Sequence, residues 1–328
     1  MSKKVILGLD TSNYTTSMSL MSLDGELVYD ARKLLPVDHG KRGLRQSEAL
    51  FYHVQQLPYL SNEISQKSDE FHIVAISAST RPRPVEDSYM PVFLAAKSYG
   101  EITSNLFHIP FYEFSHQEGH IEAALWSENI HMKEEFIAIH ISGGTTEVLV
   151  VKPRDIGYDI EIIGGTSDLS AGQFIDRVGV AMGLEFPSGK SLEEISRSCS
   201  ELSLNVPVSV TKNKISFSGP ETHFSRLIKE SNASKADIAY GVFHCVARSL
   251  ELLVKNIGKQ YPIKNLLIVG GVASNNQIRS YLLEKLAPEN IHIYFAAPKY
   301  CTDNAVGISS LGVSKYLKQN SYCRERLT

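Results

Sequence analysis

The chain has 328 residues, of which 43% are hydrophobic and 21% are charged, the proportions of an ordinary globular protein. Its 33 Lys and Arg residues are outnumbered by 36 Asp and Glu residues, so the formal net charge is -3. This balance excludes a globally basic nucleic-acid binder but is compatible with a local basic patch. The four dispersed cysteines form no C-x-x-C pair, which disfavours a disulfide framework and a thiolate zinc site. No apolar run approaches the ~20 residues of a membrane span, and the first apolar run is too short for a signal sequence. We therefore expect a cytoplasmic protein without membrane contact.

The first predicted elements are three short strands. Residues 5–9 form an apolar strand that ends at Asp10, residues 16–23 form a second, and Asp24-Gly25 turns the chain into a third at 26–29. The same pattern returns in the second half, where residues 137–150 align without a gap on residues 7–20. A chance match between two hairpins is the alternative explanation for this alignment.

Each half then continues with another apolar strand that leads into a loop of small residues, at 73–79 and at 266–272. Helical periodicity is present at 47–64, with a predicted interruption at Pro58, and at 237–257. Two α/β lobes of this kind resemble the fold shared by actin, sugar kinases and heat-shock ATPases, the ASKHA fold, which holds a nucleotide in its interlobe cleft. We expect a first lobe over 1–130 and a second over 131–328. We also expect a helical insertion at about 165–235 and a last helix, about 305–318, that packs back on the first lobe.

The segment His116-Gln-Glu-Gly-His120 is the strongest local signal for chemistry. If it is helical, both imidazoles lie on one face and can bind a single metal ion. A pair of histidines without a ligand is the alternative. A zinc-peptidase site fits poorly, because that site needs a glutamate directly after the first histidine, whereas Glu118 lies on the other side of the helix.

A two-histidine site needs further ligands, and Asp303 is the best candidate. It lies just before the last strongly apolar helix, so a helix N-cap is the alternative role. Cys301 is close in sequence, but a buried structural thiol is its favoured role.

Two glycine-containing turns are candidate nucleotide contacts. Gly143 and Gly144 lie between Ser142 and the hydroxyl pair Thr145-Thr146, an arrangement that can form an anion-binding nest or a plain hairpin. The segment that ends at Asn275 follows a buried strand, and its Gly-Gly pair lets a base or ribose approach the backbone.

Together these segments resemble the Gcp/TsaD family, the tRNA threonylcarbamoyladenosine transferases formerly described as O-sialoglycoprotein endopeptidases. The resemblance covers residues 5–316, and its motifs occur in the family's order. They are Gly8-Leu-Asp-Thr-Ser12, His53-Val-Gln-Gln-Leu-Pro58, His116-Gln-Glu-Gly-His120, Ser142-Gly-Gly144, Ala171-Gly172 with Asp176, Phe217-Ser-Gly219, Gly270-Gly-Val-Ala-Ser-Asn275 and Cys301-Thr-Asp-Asn304.

The resemblance implies one iron or zinc ion at His116, His120 and Asp303, and an adenylate or ATP in the interlobe cleft. It implies that the nucleotide contacts are Ser142, Gly143, Gly144, Thr145, Thr146, Asp176, Gly189 and Asn275, with Asp10, Ser12 and Thr15 as a candidate phosphate loop. The implied reaction transfers a threonylcarbamoyl group from its adenylate to adenosine in tRNA. The implied partners are tRNA, a shorter family paralogue and a small P-loop ATPase.

The sequence also departs from the family pattern at several positions. Tyr14 and Thr15 replace an acidic pair, Thr145 replaces a histidine and Glu221 replaces a lysine; a Pro-Gly-rich loop reads Arg81-Pro-Arg83-Pro. A divergent paralogue fits these changes. A non-catalytic scaffold of such a complex, or an ASKHA carbamoyltransferase or kinase acting on a small molecule, stays an alternative. Basic residues of the first lobe form a candidate tRNA-facing stripe or scattered solvated charge. They are Arg32, Lys33, Lys41, Arg42, Arg45, Arg81 and Arg83.

Overall fold

The protein is described by a computed structural model over residues 2–12, 14–37, 44–230 and 233–325. Its elements run from a strand at Lys3 to a helix that ends at Glu325. In chain order they are β1 Lys3–Asp10, β2 Thr15–Ser22, β3 Leu27–Leu34, α1 Gln46–Ser65, β4 Phe71–Arg81, α2 Phe93–Phe107, β5 Phe111–Ser115, α3 His116–Ser127, β6 Phe136–Ile141, β7 Thr146–Pro153, β8 Tyr158–Thr166, α4 Ala171–Ala181, α5 Gly189–Ser196, β9 Val210–Thr211, β10 Lys214–Ile215, α6 Ser218–Glu230, α7 Lys235–Gly258, β11 Asn265–Val269, α8 Asn276–Leu286, β12 His292–Phe295 and α9 Val306–Glu325.

Two mixed sheets with the same strand plan organise the described residues. The first has the order β3-β2-β1-β4-β5, and the second contains the equivalent order β8-β7-β6-β11-β12. In each, a hairpin joins the central strand antiparallel to its neighbour, and a later strand pairs with it in parallel on the other side. The internal repeat seen in the sequence is therefore a repeat of topology, and the predicted two-lobed α/β architecture is confirmed.

Strand β1 is buried on both faces, because its side chains alternate between two layers of helices. Val5, Leu7 and Leu9 pack in one cluster with residues of α1 and α2. Ile6 belongs to the other cluster, which contains residues of α3 and α9. A continuous apolar run, instead of an alternation of apolar and polar residues, is the sequence pattern of such a strand.

The last helix, α9, packs against the first sheet although it follows the second sheet in the chain. Gly8 permits this approach, because a Cβ at that position would lie 2.7 Å from the carbonyl oxygen of Ala305. Ser19 and Ser77 donate their hydroxyls to the carbonyls of Ala305 and Ile308, both at 2.9 Å. The chain therefore crosses twice between the sheets. The lobe boundary near residue 130, in the segment between α3 and β6, stays a prediction.

The predicted insertion at 165–235 is mainly helical, whereas one prediction about α1 needs correction. The insertion at 165–235 contains α4, α5 and α6 but also the short hairpin β9–β10, whose Lys214 and Ile215 pair with β8 and cover its edge. Strands of two residues carry no periodic signal, so the sequence pattern missed them. The predicted interruption of α1 at Pro58 is wrong, because the helix continues through this residue. The carbonyl that Pro58 leaves unpaired belongs to Val54, which is 55% exposed and so can be hydrated.

Among the described residues, none of the helices combines the length and the apolar composition that a membrane-spanning segment needs.

Candidate metal centre

The candidate site lies where the carboxyl ends of the parallel strands of the first sheet meet the second sheet. Asp10 ends β1, and Ser115 ends β5 and caps α3 by accepting a hydrogen bond from the backbone N–H of Glu118. The Glu118 carboxylate accepts from the backbone N–H of Ser115 at 2.8 Å, which completes a capping box. Helix α3 therefore begins at His116, at the edge of the sheet where open α/β folds bind ligands. Glu118 is occupied by its capping role, in line with the poor fit to a peptidase.

The structure brings His116, His120 and Asp303 together. The Nε2 atoms of His116 and His120 lie 3.5 and 3.2 Å from Oδ1 of Asp303. One candidate ligand atom from each of the three residues lies within 4.8 Å of the others. Helix spacing explains the histidine pair, but Asp303 arrives from the loop before α9, far along the chain.

Close contact between α3 and α9 fixes the position of Asp303 relative to the histidines. A Cβ at Gly307 would lie 1.9 Å from the carbonyl oxygen of Gly119 and 2.6 Å from the backbone nitrogen of Ala123. The two helices can approach this closely only because residue 307 has no side chain. Gly119 of α3 contributes to the same contact, because a Cβ there would lie 2.8 Å from the Ile308 side chain.

The three residues fit a metal ion. The Nε2 atoms of His116 and His120 are buried, and neither has a hydrogen-bond partner among the described residues. Two imidazole nitrogens and one carboxylate oxygen are a donor set typical of zinc and iron(II). Both Nε2 atoms lie within 3.5 Å of the Asp303 carboxylate without a well-aligned hydrogen bond to it, and a coordinated cation would satisfy both nitrogens and the carboxylate.

Asp10 holds His116 in place. Its Oδ1 atom lies 3.2 Å from Nδ1 of His116 and accepts a hydrogen bond from the Ser79 hydroxyl, while Oδ2 accepts from the Ser12 hydroxyl at 2.5 Å. A carboxylate on the far nitrogen of a histidine ligand fixes the ring orientation and the tautomer. The phosphate-loop role of Asp10, Ser12 and Thr15 stays a prediction; the observed partners of the Asp10 carboxylate are His116, Ser12 and Ser79.

The local electrostatics favour a positive charge between these carboxylates. Burial of the His116 ring lowers its pKa, but the adjacent carboxylate of Asp10, its hydrogen bond and Asp303 outweigh burial and raise the pKa to about 10. Burial and the nearby charge of His116 lower the pKa of His120. Burial raises the pKa of Asp303, but its contacts with the two histidines outweigh this and leave it below its usual value.

His140 lies beside the candidate cluster, and no sequence pattern predicted it there. It is 5% exposed on β6, its ring centre lies 4.7 Å from that of His120, and its Nε2 atom has no hydrogen-bond partner among the described residues. Burial and the charges of His120 and His116 lower its pKa well below the usual value. The gap-free alignment of the internal repeat could have identified His140, because it aligns this residue with Asp10.

The turn from Ser142 to Thr146 rests on the N-terminus of α4. The carbonyl oxygens of Ser142 and Gly143 accept hydrogen bonds from the backbone of Gly172 at 3.2 Å and from the hydroxyl of Ser170 at 2.8 Å. The Thr146 hydroxyl accepts from the backbone N–H of Ala171 at 2.8 Å. Gly143 and Gly144 are exposed, and a Cβ on either would meet no atom within 4 Å. The turn is therefore hydrogen-bonded to the start of α4 on one side, and its two glycines face open space on the other.

Asp176 and Gly189 lie together on the insertion. Asp176 accepts from the backbone N–H of Ser188 at 2.8 Å, and burial raises its pKa. Asn275, 4% exposed, caps α8 by accepting from the backbone N–H of Ile278 at 2.9 Å. Its Nδ2 atom is buried and has no hydrogen-bond partner among the described residues. The nucleotide-binding roles of these residues stay predictions.

Several other predicted residues have local partners. Cys301 is buried and donates to the carbonyl of Ala296 at 3.3 Å, in keeping with a structural thiol. The Tyr14 ring meets the edge of Phe186 at 6.0 Å, which joins the first hairpin to the insertion. Of the basic stripe, Arg32 pairs with Asp30 and Arg83 with Glu147, while Lys41 and Arg42 lie outside the described residues. A tRNA-facing surface stays a prediction.

Comparison with solved structures agrees with this architecture. The HypF protein of T. kodakarensis is similar at a TM-score of 0.64 and 15% identity; the match covers 97% of this chain and 48% of that one, so the chain spans about half of HypF. A ROK family protein of Streptococcus pneumoniae TIGR4, solved in complex with sucrose, has a TM-score of 0.57 at 12% identity over 97% of this chain and 99% of that one. At these identities the similarity shows the ASKHA fold alone.

Sequence comparisons are more specific. The chain is 30% identical to the tRNA N6-adenosine threonylcarbamoyltransferase of Prochlorococcus marinus strain NATL1A, over 93% of this chain and 89% of that protein. It is 27% identical to the protein of the same description from Thermosipho africanus, over 96% of this chain and 95% of that protein. The sequence profile described as TsaD, tRNA N6-adenosine threonylcarbamoyltransferase, matches residues 95–310, which include both histidines and Asp303. The chain therefore belongs to the TsaD family.

Proposed function

We propose that this protein transfers a threonylcarbamoyl group from its adenylate to adenosine in tRNA, with a metal ion held by His116, His120 and Asp303. The observation that carries the proposal is the pair of buried Nε2 atoms facing one carboxylate without hydrogen-bond partners of their own. Membership of the TsaD family supports the reaction class, and the donor set supports the metal.

In the proposed reaction, the exocyclic amine of adenosine attacks the carbamoyl carbon of the adenylate. A new C–N bond forms, the bond from that carbon to the phosphate oxygen breaks, AMP leaves and the amine loses a proton. A metal ion at this place would polarise oxygens on which negative charge develops.

The residues of the chain would bind and orient the adenylate. The turn at Ser142–Thr146 presents exposed backbone at Gly143 and Gly144, where a phosphate or sugar can approach without meeting a side chain. The free Nδ2 donor of Asn275 suits a ribose or base oxygen or a ring nitrogen. Asp10 would keep the His116 ring aimed at the ion.

The proposed partners are tRNA, a shorter paralogue and a small P-loop ATPase, and the proposed setting is the cytoplasm; these proposals extend the family resemblance.

A non-catalytic member of such a complex is the second candidate function. The substitutions that favour it are Thr145 in the open turn and Glu221, which lies in the first turn of α6 and accepts a hydrogen bond from Ser225 at 3.3 Å.

Metal analysis separates the two candidates. The purified protein is expected to contain one iron or zinc ion per chain, and His116→Ala is expected to lose it. The exposed His131 provides the matched control, because His131→Ala removes an imidazole away from the cluster. A natively folded protein that neither contains nor takes up a metal would favour the scaffold.

The acceptor is tested by complementation of a strain depleted of its own transferase. Expression of this chain with its paralogue and ATPase partners should restore N6-threonylcarbamoyladenosine in tRNA, measured by mass spectrometry of nucleosides. A folded, metal-loaded protein that restores none of the modified nucleoside would contradict the tRNA proposal.

A further inference from the structure

The loop after β4 carries an arginine that crosses to the second sheet. Arg83 donates a hydrogen bond from Nη2 to Oε1 of Glu147, which is the second residue of β7. The Arg83 side chain is 46% exposed and that of Glu147 is 15% exposed. This arginine belongs to the segment Arg81-Pro-Arg83-Pro, where the family resemblance implies a Pro-Gly-rich loop.

Glu147 lies beside the candidate metal centre. It pairs in register with His140 across the β6–β7 ladder, so the two side chains lie on the same face of the sheet. It directly follows Thr146 of the open turn. Its Oε2 atom accepts from Nε2 of Gln117 at 3.2 Å, and Gln117 is the neighbour of His116 on α3. The ion pair therefore lies between the histidine cluster and the turn.

Arg83 has binding capacity that the ion pair does not use. Its only hydrogen bond from the guanidinium to a described residue comes from Nη2, so Nε and Nη1 are free to donate. A guanidinium presents its N–H groups in a planar fork that matches the two oxygens of a carboxylate or phosphate. The Arg83 end of the pair is 46% exposed, so another oxyanion can reach the guanidinium, and the more buried Glu147 has a second hydrogen bond from Gln117.

We propose that Arg83 binds an oxyanion of the substrate, and that Glu147 is the internal carboxylate which this oxyanion displaces. The inference rests on the proposed function, because it takes the cleft beside the histidines as the adenylate site. The adenylate offers two oxyanions, the phosphate and the threonine carboxylate, and both have the chemistry that Arg83 recognises. Displaced Glu147 keeps its hydrogen bond from Gln117.

The opposite signs of two substitutions distinguish this role from a purely structural tie. In the proposed role, Arg83 supplies the binding group and Glu147 competes with the substrate oxyanion for it. Arg83→Gln should then weaken anion binding. Glu147→Gln should strengthen it, because a neutral amide competes less well for the guanidinium. If the pair only holds the two sheets together, both substitutions affect binding in the same direction.

The experiment measures dissociation constants by calorimetry for two matched pairs of probes: AMP against adenosine, and N-carbamoylthreonine against its carboxamide. Within each pair only the oxyanion differs. We expect Arg83→Gln to reduce the preference for the anionic probe by at least about tenfold in one pair, which identifies the group bound. Arg83→Lys should retain part of the preference, and Glu147→Gln should increase it by about three- to tenfold. Arg154→Gln is the control, since Arg154 forms an exposed ion pair with Asp159 away from the cluster.

The measured preferences and their signs decide whether Arg83 binds the oxyanion. Unchanged preferences in Arg83→Gln, or effects of the same sign in Arg83→Gln and Glu147→Gln, would overturn it while leaving the proposed function intact. Wild-type protein that binds neither AMP nor N-carbamoylthreonine would overturn both the inference and the assignment of the cleft to an adenylate.

Discussion

Asp10 and His140 occupy equivalent places in the two halves of the molecule, and each contacts one histidine of the cluster. Asp10 lies 3.2 Å from Nδ1 of His116, and the His140 ring centre lies 4.7 Å from that of His120. Both residues align in the internal repeat, on the central strands β1 and β6. The repeat therefore relates residues that surround the candidate site as well as the scaffold beneath it.

The contact between Asp10 and His116 gives the first prediction. Asp10→Asn should weaken metal binding by about 10- to 100-fold, because an amide orients the imidazole less strongly than a carboxylate. Chelator competition measures this affinity. Asp30→Asn is the control, because Asp30 is another buried carboxylate of the same sheet, but it pairs with Arg32. Equal metal affinity in wild type and Asp10→Asn would contradict the orienting role.

The approach of α3 to α9 gives a second prediction. Gly307→Ala should lower the free energy of unfolding by about 1–3 kcal/mol and reduce metal content, because the added methyl group collides with the backbone of Gly119. Urea denaturation and metal analysis measure the two effects. At Gly258, near the end of α7, a Cβ meets only Ile263, at 3.9 Å. Gly258→Ala should therefore be neutral or slightly stabilising. A fully metal-loaded Gly307→Ala protein would refute this account of how Asp303 is positioned.

Asn275 gives a third prediction, on the nucleotide. Asn275→Ser should leave the free energy of unfolding within about 1 kcal/mol, because serine also caps helices well. It should weaken AMP binding by about tenfold, because it removes the Nδ2 donor that has no partner among the described residues. Calorimetry with AMP provides the measurement. Retained AMP affinity in the folded variant would remove Asn275 from the proposed site.

Asp168 gives a prediction about pH. It accepts hydrogen bonds from the Ser216 hydroxyl at 2.5 Å and from the backbone N–H of Phe217 at 2.8 Å, which tie the start of α6 to the segment before α4. Partial burial raises the pKa of Asp168, but its hydrogen bonds from Ser216, Ser218 and the backbone outweigh this and lower it. Its stabilising effect is therefore present above the ordinary carboxyl pKa of about 3.9 and is lost as the pH falls through the lower folded value.

We expect Asp168→Asn to lower the free energy of unfolding by about 1 kcal/mol at neutral pH. The effect is small because the carboxylate is largely exposed. The difference from wild type should shrink as the pH falls from about 5 to about 2. Urea denaturation at several pH values provides the measurement. The control is Glu161→Gln, because Glu161 is an exposed carboxylate of β8 without a hydrogen bond to a described residue. A gap that widens in acid would refute the assignment.

Local sequence patterns predicted much of the fold. The apolar run of β1 and the hairpin that repeats as β6–β7 both depend on neighbours within a few residues. The spacing of His116 and His120 is of the same kind, because one helical turn places both rings on one face. The β9–β10 hairpin escaped prediction since two-residue strands form only where an existing edge offers them partners.

The sequence by itself determined the two-lobed plan, the paired histidines and the family to which the chain belongs. The tertiary structure alone decided that Asp303 reaches both histidines, that Asp10 orients one of them, that His140 joins them and that Glu147 pairs with Arg83 across the sheets. The physical reason is range: helix and strand periodicity acts over a few residues, whereas these contacts join distant parts of the chain. They form only where close packing, as at Gly307, brings the backbones together.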